Sequence, residues 1–366
     1  MRTDALSSRF ILVRHGRSSF NDQGRYQGSS NEAVLTQKGI ETAQHVGRFL
    51  RKKAIDVVYT SPLLRAKQTT EEILKTMADQ RLRLITVNHN LREIDLSIWE
   101  GLTYKYVQHH HRDAYECWQQ RPHEFKLPVA SGYYHFPVKD LYQRAQQFWS
   151  DSLTNHTGKT VLIVSHGGTN HALISTAMGL SPQCHHSLQQ SNCGISILEF
   201  SEQGVQLTQL NQTTAIREIL PKLKAGKQGL RLLLLPEETL TPIACQQVAH
   251  RLATVNLEFC LSAGQNWLPS LLQHHPKITQ FAARHTDFLQ DWQQTFFELG
   301  AFEPGKTDQH LMTGIAIAPT ASIQTLLIQT LGGHSYEGAK LLLKPGYLSV
   351  IHYPQNHRPI VQAINI

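Results

Sequence analysis

Apolar residues in this chain gather in short runs, and each run ends in a turn of small residues. Ile11-Leu12-Val13 leads into Arg14-His15-Gly16, and Val57-Val58-Tyr59 into Thr60-Ser61-Pro62. Val161-Leu162-Ile163-Val164 leads into Ser165-His166-Gly167-Gly168, and Thr86-Val87-Asn88 reads as one more short strand. Brief β-branched runs without polar interruption are the pattern of strands covered on both faces. Apolar positions at helical spacing follow them, as around Leu173-Ile174, and Thr36 before Gln37-Lys38-Gly39 reads as a helix N-cap. Strands alternating with helices predict an α/β fold. A basic or histidine side chain stands at the turn after each of the three strongest runs.

The pattern then repeats. Leu223 to Gly229 is basic, glycine-bearing and without periodicity, which predicts a linker over 223–229. Beyond it, Thr160–His166 aligns without a gap on Thr313–Pro319, Leu173-Ile174 on Leu326-Leu327, and Gly179 on Gly332. Gly194-Ile195-Ser196-Ile197 falls on Gly346-Tyr347-Leu348-Ser349, one residue out of register. Ala43 to Leu50 matches Cys245 to Leu252, and Ile55-Asp56-Val57 matches Leu257-Glu258-Phe259. The first strand of this second copy is expected at Leu232 to Leu235, with its helix following at once, so a counterpart of residues 16–35 is missing. The expectation is a first domain over 1–222 and a degenerate copy over 230–366. In that copy Pro236 and Glu237 stand for Arg14 and His15, Trp267 for Arg65 and Pro319 for His166. Proline neither titrates nor donates a hydrogen bond, so the copy is read as inactive. It either packs against the first domain or builds a homodimer face. Chance similarity of two α/β patterns is the competing reading.

Charge sharpens this division. The chain carries a formal +7, and residues 1–222 hold 25 Lys+Arg against 19 Asp+Glu. Residues 223–366 hold 10 against 9, so the half with the three turns is the one that draws small anions. Basic residues come in ones and twos apart from Arg51-Lys52-Lys53, with no stripe interleaved with aromatics, which argues against a nucleic-acid partner. No apolar run reaches the about 18 residues of a membrane span. The start, Met1 to Arg9, is too short and polar for a signal or transit peptide, so a cytoplasmic protein is expected. Cys117, Cys184, Cys193, Cys245 and Cys260 are odd in number and lack C-x-x-C spacing, which reads as reduced thiols.

Residues at the carboxyl ends of neighbouring parallel strands converge however far apart they lie in sequence. Here they bring together two imidazoles, His15 and His166, and two guanidiniums, Arg14 and Arg65. Phosphoryl transfer needs an in-line nucleophile, cationic donors for the equatorial oxygens and an acid for the leaving oxygen. Leu91-Arg92-Glu93-Ile94-Asp95-Leu96 supplies the acid: Glu93, with Asp95 on the same face of an extended segment as its competitor. Positive charge from Arg14, Arg65 and a protonated His166 would keep His15 neutral and able to attack. Guanidiniums grip phosphate in bidentate fashion, so neither metal nor cofactor is required. His109-His110-His111 points in several directions from a helix and reads as a solvated face. Glu100 reads as structural, and Cys193 as an inert buried thiol.

These residues resemble the histidine phosphatase superfamily, the phosphoglycerate-mutase-like fold, over about residues 9–213. The resemblance rests on Arg14-His15-Gly16, Ser18, Asn21, Gln27-Gly28, Leu35-Thr36-Gln37-Lys38-Gly39, Ser61-Pro62, Arg65, Gln68-Thr69, Glu93, Trp99-Glu100-Gly101 and Ser165-His166-Gly167. It implies a mostly parallel sheet with helices on both faces. It implies His15 as nucleophile, Arg14, Arg65 and His166 as phosphoryl clamp, Asn21 as assistant and Glu93 as proton donor. Ser18, Gln27 and Gly28 belong to the same substrate-binding mouth, where Arg25, Tyr26 and Tyr104 are candidate contacts. A narrower likeness is to the plant and cyanobacterial 2-carboxy-D-arabinitol-1-phosphatases. It runs through Gln27-Gly28-Ser29-Ser30-Asn31, Leu91–Leu96, Gln190-Ser191-Asn192-Cys193-Gly194 and Leu210-Asn211-Gln212-Thr213. Arg17, Ser97 and Gly132–Pro137 depart from the common family pattern. The expected function is metal-independent hydrolysis of small anionic phosphate esters, such as Rubisco-inhibitory sugar phosphates. The alternatives are a phosphoglycerate-mutase-type transferase, disfavoured because 102–140 lacks the Arg-Arg-Ser insertion, and a scaffold working through its second half.

Overall fold

The computed structural model describes residues 7–77, 84–129, 132–264, 267–283, 287–298, 310–355 and 357–366. The chain divides into two compact units. The first comprises Met1–His186, Gln190–Leu207 and Thr213–Glu218; the second comprises Ser187–Gln189, Thr208–Gln212 and Ile219–Ile366.

In the first unit β1 (Ser8–Arg14) is followed by the short α1 (Ser19–Gln23), α2 (Gln37–Leu50), β2 (Val57–Thr60), α3 (Leu64–Met77) and β3 (Ile85–Val87). Next come α4 (Tyr104–His110), α5 (Arg112–Gln120), a small hairpin of β4 (Leu127–Pro128) and β5 (Tyr134–His135), and the long α6 (Pro137–Asn155). The unit closes with β6 (Thr160–Ser165), α7 (Gly167–Met178), β7 (Ile195–Ser201) and the first part of β8 (Gly204–Gln212), whose Thr208–Gln212 belong to the second unit. The sheet order is β3-β2-β6-β1-β7-β8. β3, β2, β6 and β1 run parallel, and β7 lies antiparallel to β1.

Phe10, Ile11, Leu12 and Val13 of the inner strand β1 are all fully buried, because both sheet faces are covered. On one face Ile11 and Val13 pack with Val46 and Leu50 of α2 and Ile73 and Met77 of α3. On the other, Phe10 meets Trp149 of α6 edge-on at 5.0 Å, and Trp149 Nε1 donates to the Leu173 carbonyl of α7 at 2.9 Å. Thr36 caps α2 by accepting from Gly39 N at 3.1 Å. Glycine is required at Gly16, where a Cβ would lie 2.6 Å from the Gly39 carbonyl oxygen. In the ladder Arg14 is level with Ser165, and Thr60 with Val164. The residues that follow, His15, Ser61 and His166, therefore emerge side by side at one end of the sheet.

The second unit has β9 (Gly229–Pro236), α8 (Pro242–Leu252), β10 (Phe259–Ser262), α9 (Leu268–Leu271) and β11 (Thr279–Ala282). α10 (Phe288–Glu298), β12 (Leu311–Ala318), α11 (Thr320–Thr330), β13 (Ser349–Tyr353) and β14 (Ile360–Ala363) complete it. Its sheet order, β11-β10-β12-β9-β13-β14, repeats the first strand for strand, again with four parallel strands and then an antiparallel one. Pro236 is level with Ala318 as Arg14 is with Ser165, and Phe259 with Gly314 as Val57 is with Val161. Glu237 and Pro319 therefore follow their strands where His15 and His166 follow theirs. Only a short turn separates β9 from α8, where the first unit carries α1 and the loop after it.

Two details differ from the sequence expectation. Leu12 pairs with Ser196, and Leu234 with Ser349, so the match stays in register and Gly346 is the counterpart of Cys193, not of Gly194. Both Cys193 (φ 58°) and Gly346 (φ 68°) are left-handed. Matching glycine to glycine misled the alignment, because the backbone geometry and not the residue type is what recurs. The second unit also begins earlier than residue 230. β9 starts at Gly229, and Leu188 and Leu210 bridge to Val361 and Ile364 beside β14, occupying an edge that would otherwise be bare. Arg231 Nε donates to Gln362 Oε1 at 3.0 Å, and Gln362 Nε2 to Gln189 Oε1 at 3.1 Å, a buried tie to the same segment. Among the described residues no helix is long and apolar enough to cross a membrane.

Candidate active site

His15 is buried at the end of β1, and its backbone N–H donates to the Ser165 carbonyl at 2.8 Å. Its ring Nδ1 lies 2.7 Å from the Gly16 carbonyl oxygen. A carbonyl only accepts, so Nδ1 carries the proton and the neutral ring's lone pair is on Nε2. Gly16 N donates to Thr69 Oγ1 of α3 at 2.9 Å, which anchors the loop from the far side.

The His166 ring stands 5.2 Å from that of His15. Its Nε2 is 2.7 Å from Ser61 Oγ, and its Nδ1 is buried without a hydrogen-bond partner among the described residues. Burial, together with the nearby Arg65, His15, Arg14 and Arg144, holds His166 well below the ordinary imidazole pKa. This corrects the expectation of a protonated His166: in the free site it is a neutral ring. Ser61 Oγ already accepts from Leu63 N at 3.3 Å, and with its own proton turned to Nε2 the neutral ring carries its proton on Nδ1.

Arg65 is buried and Arg14 half-buried, and desolvation lowers both pKa values, Arg65 to about 10, while the Glu93 carboxylate opposes the shift on each. Both remain cations at neutral pH. Arg65 spends Nη1 on the Ser30 carbonyl at 2.7 Å and Nη2 on the Gly28 carbonyl at 2.8 Å. Arg14 Nη1 donates to the Gln190 carbonyl at 2.8 Å. The Nε of each is buried and unpartnered among the described residues. Two guanidiniums and an imidazole thus keep N–H groups in reserve around His15.

Glu93 sits against the start of α7. Its carboxylate accepts from Gly168 N at 3.1 Å, Thr169 N at 3.0 Å and Thr169 Oγ1 at 3.2 Å. Asp95 instead accepts from Ser97 N at 3.0 Å, a local turn, so of the two carboxylates Glu93 is the one drawn into the cluster.

Of the mouth residues, Ser18 caps α1, and Asn21 Oδ1 accepts from Ser18 N at 3.2 Å. Gln27 Oε1 accepts from Ser18 Oγ at 2.8 Å. Tyr104 bonds Asn21 through its hydroxyl, and burial raises its pKa. Gly28 is left-handed (φ 48°), and a Cβ there would run into Glu100. Glu100 Oε1 accepts from Ser29 N at 2.6 Å and Ser30 N at 3.1 Å, the structural role expected of it. Arg25 Nη1 donates to the Gly101 carbonyl at 2.5 Å, tying the mouth loop to the segment after Trp99, and its Nε is buried without a partner among the described residues. His109 and His110 are exposed at the end of α4, and among the described residues no three His, Cys, Asp or Glu side chains cluster as metal ligands would. The five cysteines are free.

Sequence reasoning assigned no role to Ser61, Thr69, Thr169 or Asn192, although three of them lay inside the motifs it quoted. In the second unit the equivalent machinery is replaced. At the start of α11, Thr320 N and Oγ1 donate to the Glu238 carboxylate at 3.0 and 2.8 Å, so an internal anion occupies that helix end.

A parallel α/β sheet with a histidine, two guanidiniums and a carboxylate at its strand ends defines the phosphoryl-handling class of site. Residues 10–213 match the histidine phosphatase superfamily (branch 1), and the chain belongs to that superfamily. The 2-carboxy-D-arabinitol-1-phosphatase of Triticum aestivum is 37% identical over 63% of this chain and 46% of its own length. An Arabidopsis thaliana protein provisionally given that name is 39% identical over 57% of this chain and 42% of its own. The chain therefore spans less than half the length of these two relatives. Phosphoserine phosphatase 1 of Hydrogenobacter thermophilus is 26% identical over 57% of this chain and 95% of its own.

Proposed function

We propose that this protein hydrolyses small phosphate monoesters through a phosphohistidine on His15. The observation that carries the reading is the Nδ1–H bond to the Gly16 carbonyl, which makes Nε2 the attacking atom amid buried N–H donors that have no acceptor among the described residues. Nε2 attacks phosphorus while Arg14, Arg65 and His166 Nδ1–H receive the equatorial oxygens. The ester P–O bond breaks, and Glu93 gives its proton to the leaving oxygen. Water then attacks the phosphohistidine, Glu93 takes a proton from it, the P–N bond breaks and inorganic phosphate departs. Splitting one displacement into two lets the same clamp stabilise both transition states.

The substrate class we favour is carboxylated pentitol phosphates, of which 2-carboxy-D-arabinitol 1-phosphate is the type. Its support is the name carried by the wheat relative and the motifs shared with that group. Tyr104, Asn21, Gln27 and Ser18 form the polar mouth that would read the non-phosphate end. The test is release of inorganic phosphate from a sugar-phosphate panel by the parent and by His15→Ala. Loss of all turnover in the variant is expected. Activity surviving His15→Ala would end the phosphohistidine reading, and phosphoryl exchange between two phosphoglycerates without net phosphate release would point to a mutase.

A further inference from the structure

The turn Gln190-Ser191-Asn192-Cys193-Gly194 wraps the strand end that carries His15. Arg14 N donates to the Gly194 carbonyl at 3.3 Å, Cys193 N to the Arg14 carbonyl at 3.0 Å, and Gly194 N back to the Ser191 carbonyl at 2.9 Å. The left-handed backbone of Cys193 closes this turn and brings the Asn192 amide over His15 and Gly16.

Asn192 Nδ2 lies 3.1 Å from the His15 carbonyl oxygen, 3.3 Å from that of Gly16 and 3.0 Å from Asn21 Oδ1. All three are acceptors, so the atom facing them is the NH2 group; an oxygen there would meet only lone pairs. The Gly16 carbonyl is also the one that holds the proton on His15 Nδ1. Asn21 Oδ1, engaged by Asn192 and by Ser18 N, turns its own NH2 the other way, where it meets the Tyr104 hydroxyl. One amide thus holds both the carbonyl that sets the nucleophile's tautomer and the side chain beside it.

We propose that Asn192 is a positioning residue for the reaction. It fixes the Gly16 carbonyl, and through it the Nδ1–H form of His15, and it holds the Asn21 side chain in place beside the nucleophile. This rests on the phosphohistidine reading above. A residue that merely filled space between two turns would make a different prediction. Asn192→Asp keeps the shape and would then be milder than Asn192→Ala. If the donor is what counts, Asn192→Asp is the worse of the two, because a carboxylate then faces three acceptor oxygens.

The experiment combines two readouts on the full chain. Long-range proton–nitrogen spectra of protein labelled with 15N-histidine report the His15 tautomer, and the pre-steady-state burst with p-nitrophenyl phosphate reports phosphorylation of His15. The parent is expected to show Nδ1–H. Asn192→Ala is expected to populate Nε2–H and to slow the burst by roughly 10²-fold, the scale of a small misplacement of a reacting group, with KM little changed. Asn192→Asp is expected to be slower still. An unchanged burst and tautomer in Asn192→Ala, or an Asn192→Asp milder than Asn192→Ala, would overturn the proposal. So would Nε2–H in the parent, a result that needs no variant to fold. If His15→Ala keeps its turnover, the phosphohistidine reading falls by itself, while the tautomer comparison still reports what Asn192 does.

Discussion

Arg65→Lys keeps the charge at the most deeply enclosed guanidinium of the site and removes its fork. Arg65 is 1% exposed, gives one N–H each to the Ser30 and Gly28 carbonyls, and holds Nε in reserve. A lysine ammonium is a single point that cannot reach both carbonyls and the phosphoryl oxygens together. Two costs follow. Each buried carbonyl left bare costs about 1–3 kcal/mol of stability. Loss of a preorganised donor to the transition state costs about 3 kcal/mol, a fall in kcat of roughly 10²–10³. The Gly28–Ser30 turn stays in place through Glu100, so the fold survives and kcat can be read. The assay is steady-state hydrolysis of p-nitrophenyl phosphate well below the thermal midpoint, alongside urea unfolding of both proteins. The expected result is a lower urea midpoint and the stated drop in kcat. A lysine variant within tenfold of the parent in kcat/KM and unshifted in urea would refute the clamp role and the accounting behind it.

Turnover is expected to persist in EDTA without added Mg²⁺, since Arg14 and Arg65 supply the charge that a metal would; a preparation killed by chelation and revived by a divalent ion would contradict this. His166 and His185 are buried and held well below their unfolded value of about 6.5 chiefly by burial, so the unfolded chain binds more protons as pH falls below that value. Stability is therefore present above about pH 6.5 and lost as pH falls towards the folded values, and a urea midpoint no lower at pH 5 than at pH 7.5 would count against the burial of these rings. Glu237→Gln should leave kcat unchanged, because Glu237 follows β9 of the second sheet and not the strand that carries His15. Deleting residues 230–366 should abolish soluble expression, since it strips Leu188, Leu210 and Gln189 of their partners in the second unit; a soluble, active 1–222 fragment would show otherwise.

The sequence determined what is local. Three apolar runs ending in Arg14-His15, Ser61-Pro62 and Ser165-His166 carried the parallel sheet, and the chemistry at the turns followed from residue type. The repeated order of strands was also legible, because strand and helix periods recur in the second half even where Pro236 and Pro319 stand for Arg14 and His166. Roles that depend on where an atom points were not legible. His166 is neutral because its surroundings bury it near cations drawn from separate segments, Arg14 at the end of β1, Arg65 of α3 and Arg144 of α6. Arg25 bonds a carbonyl far along the chain, and Ser61 and Asn192 set the orientation of rings and carbonyls they do not neighbour in sequence. Hydrogen-bond geometry and desolvation depend on distances of a few tenths of an ångström between segments far apart in the chain. Residue order alone does not encode them, and only the packed sheet brings them together.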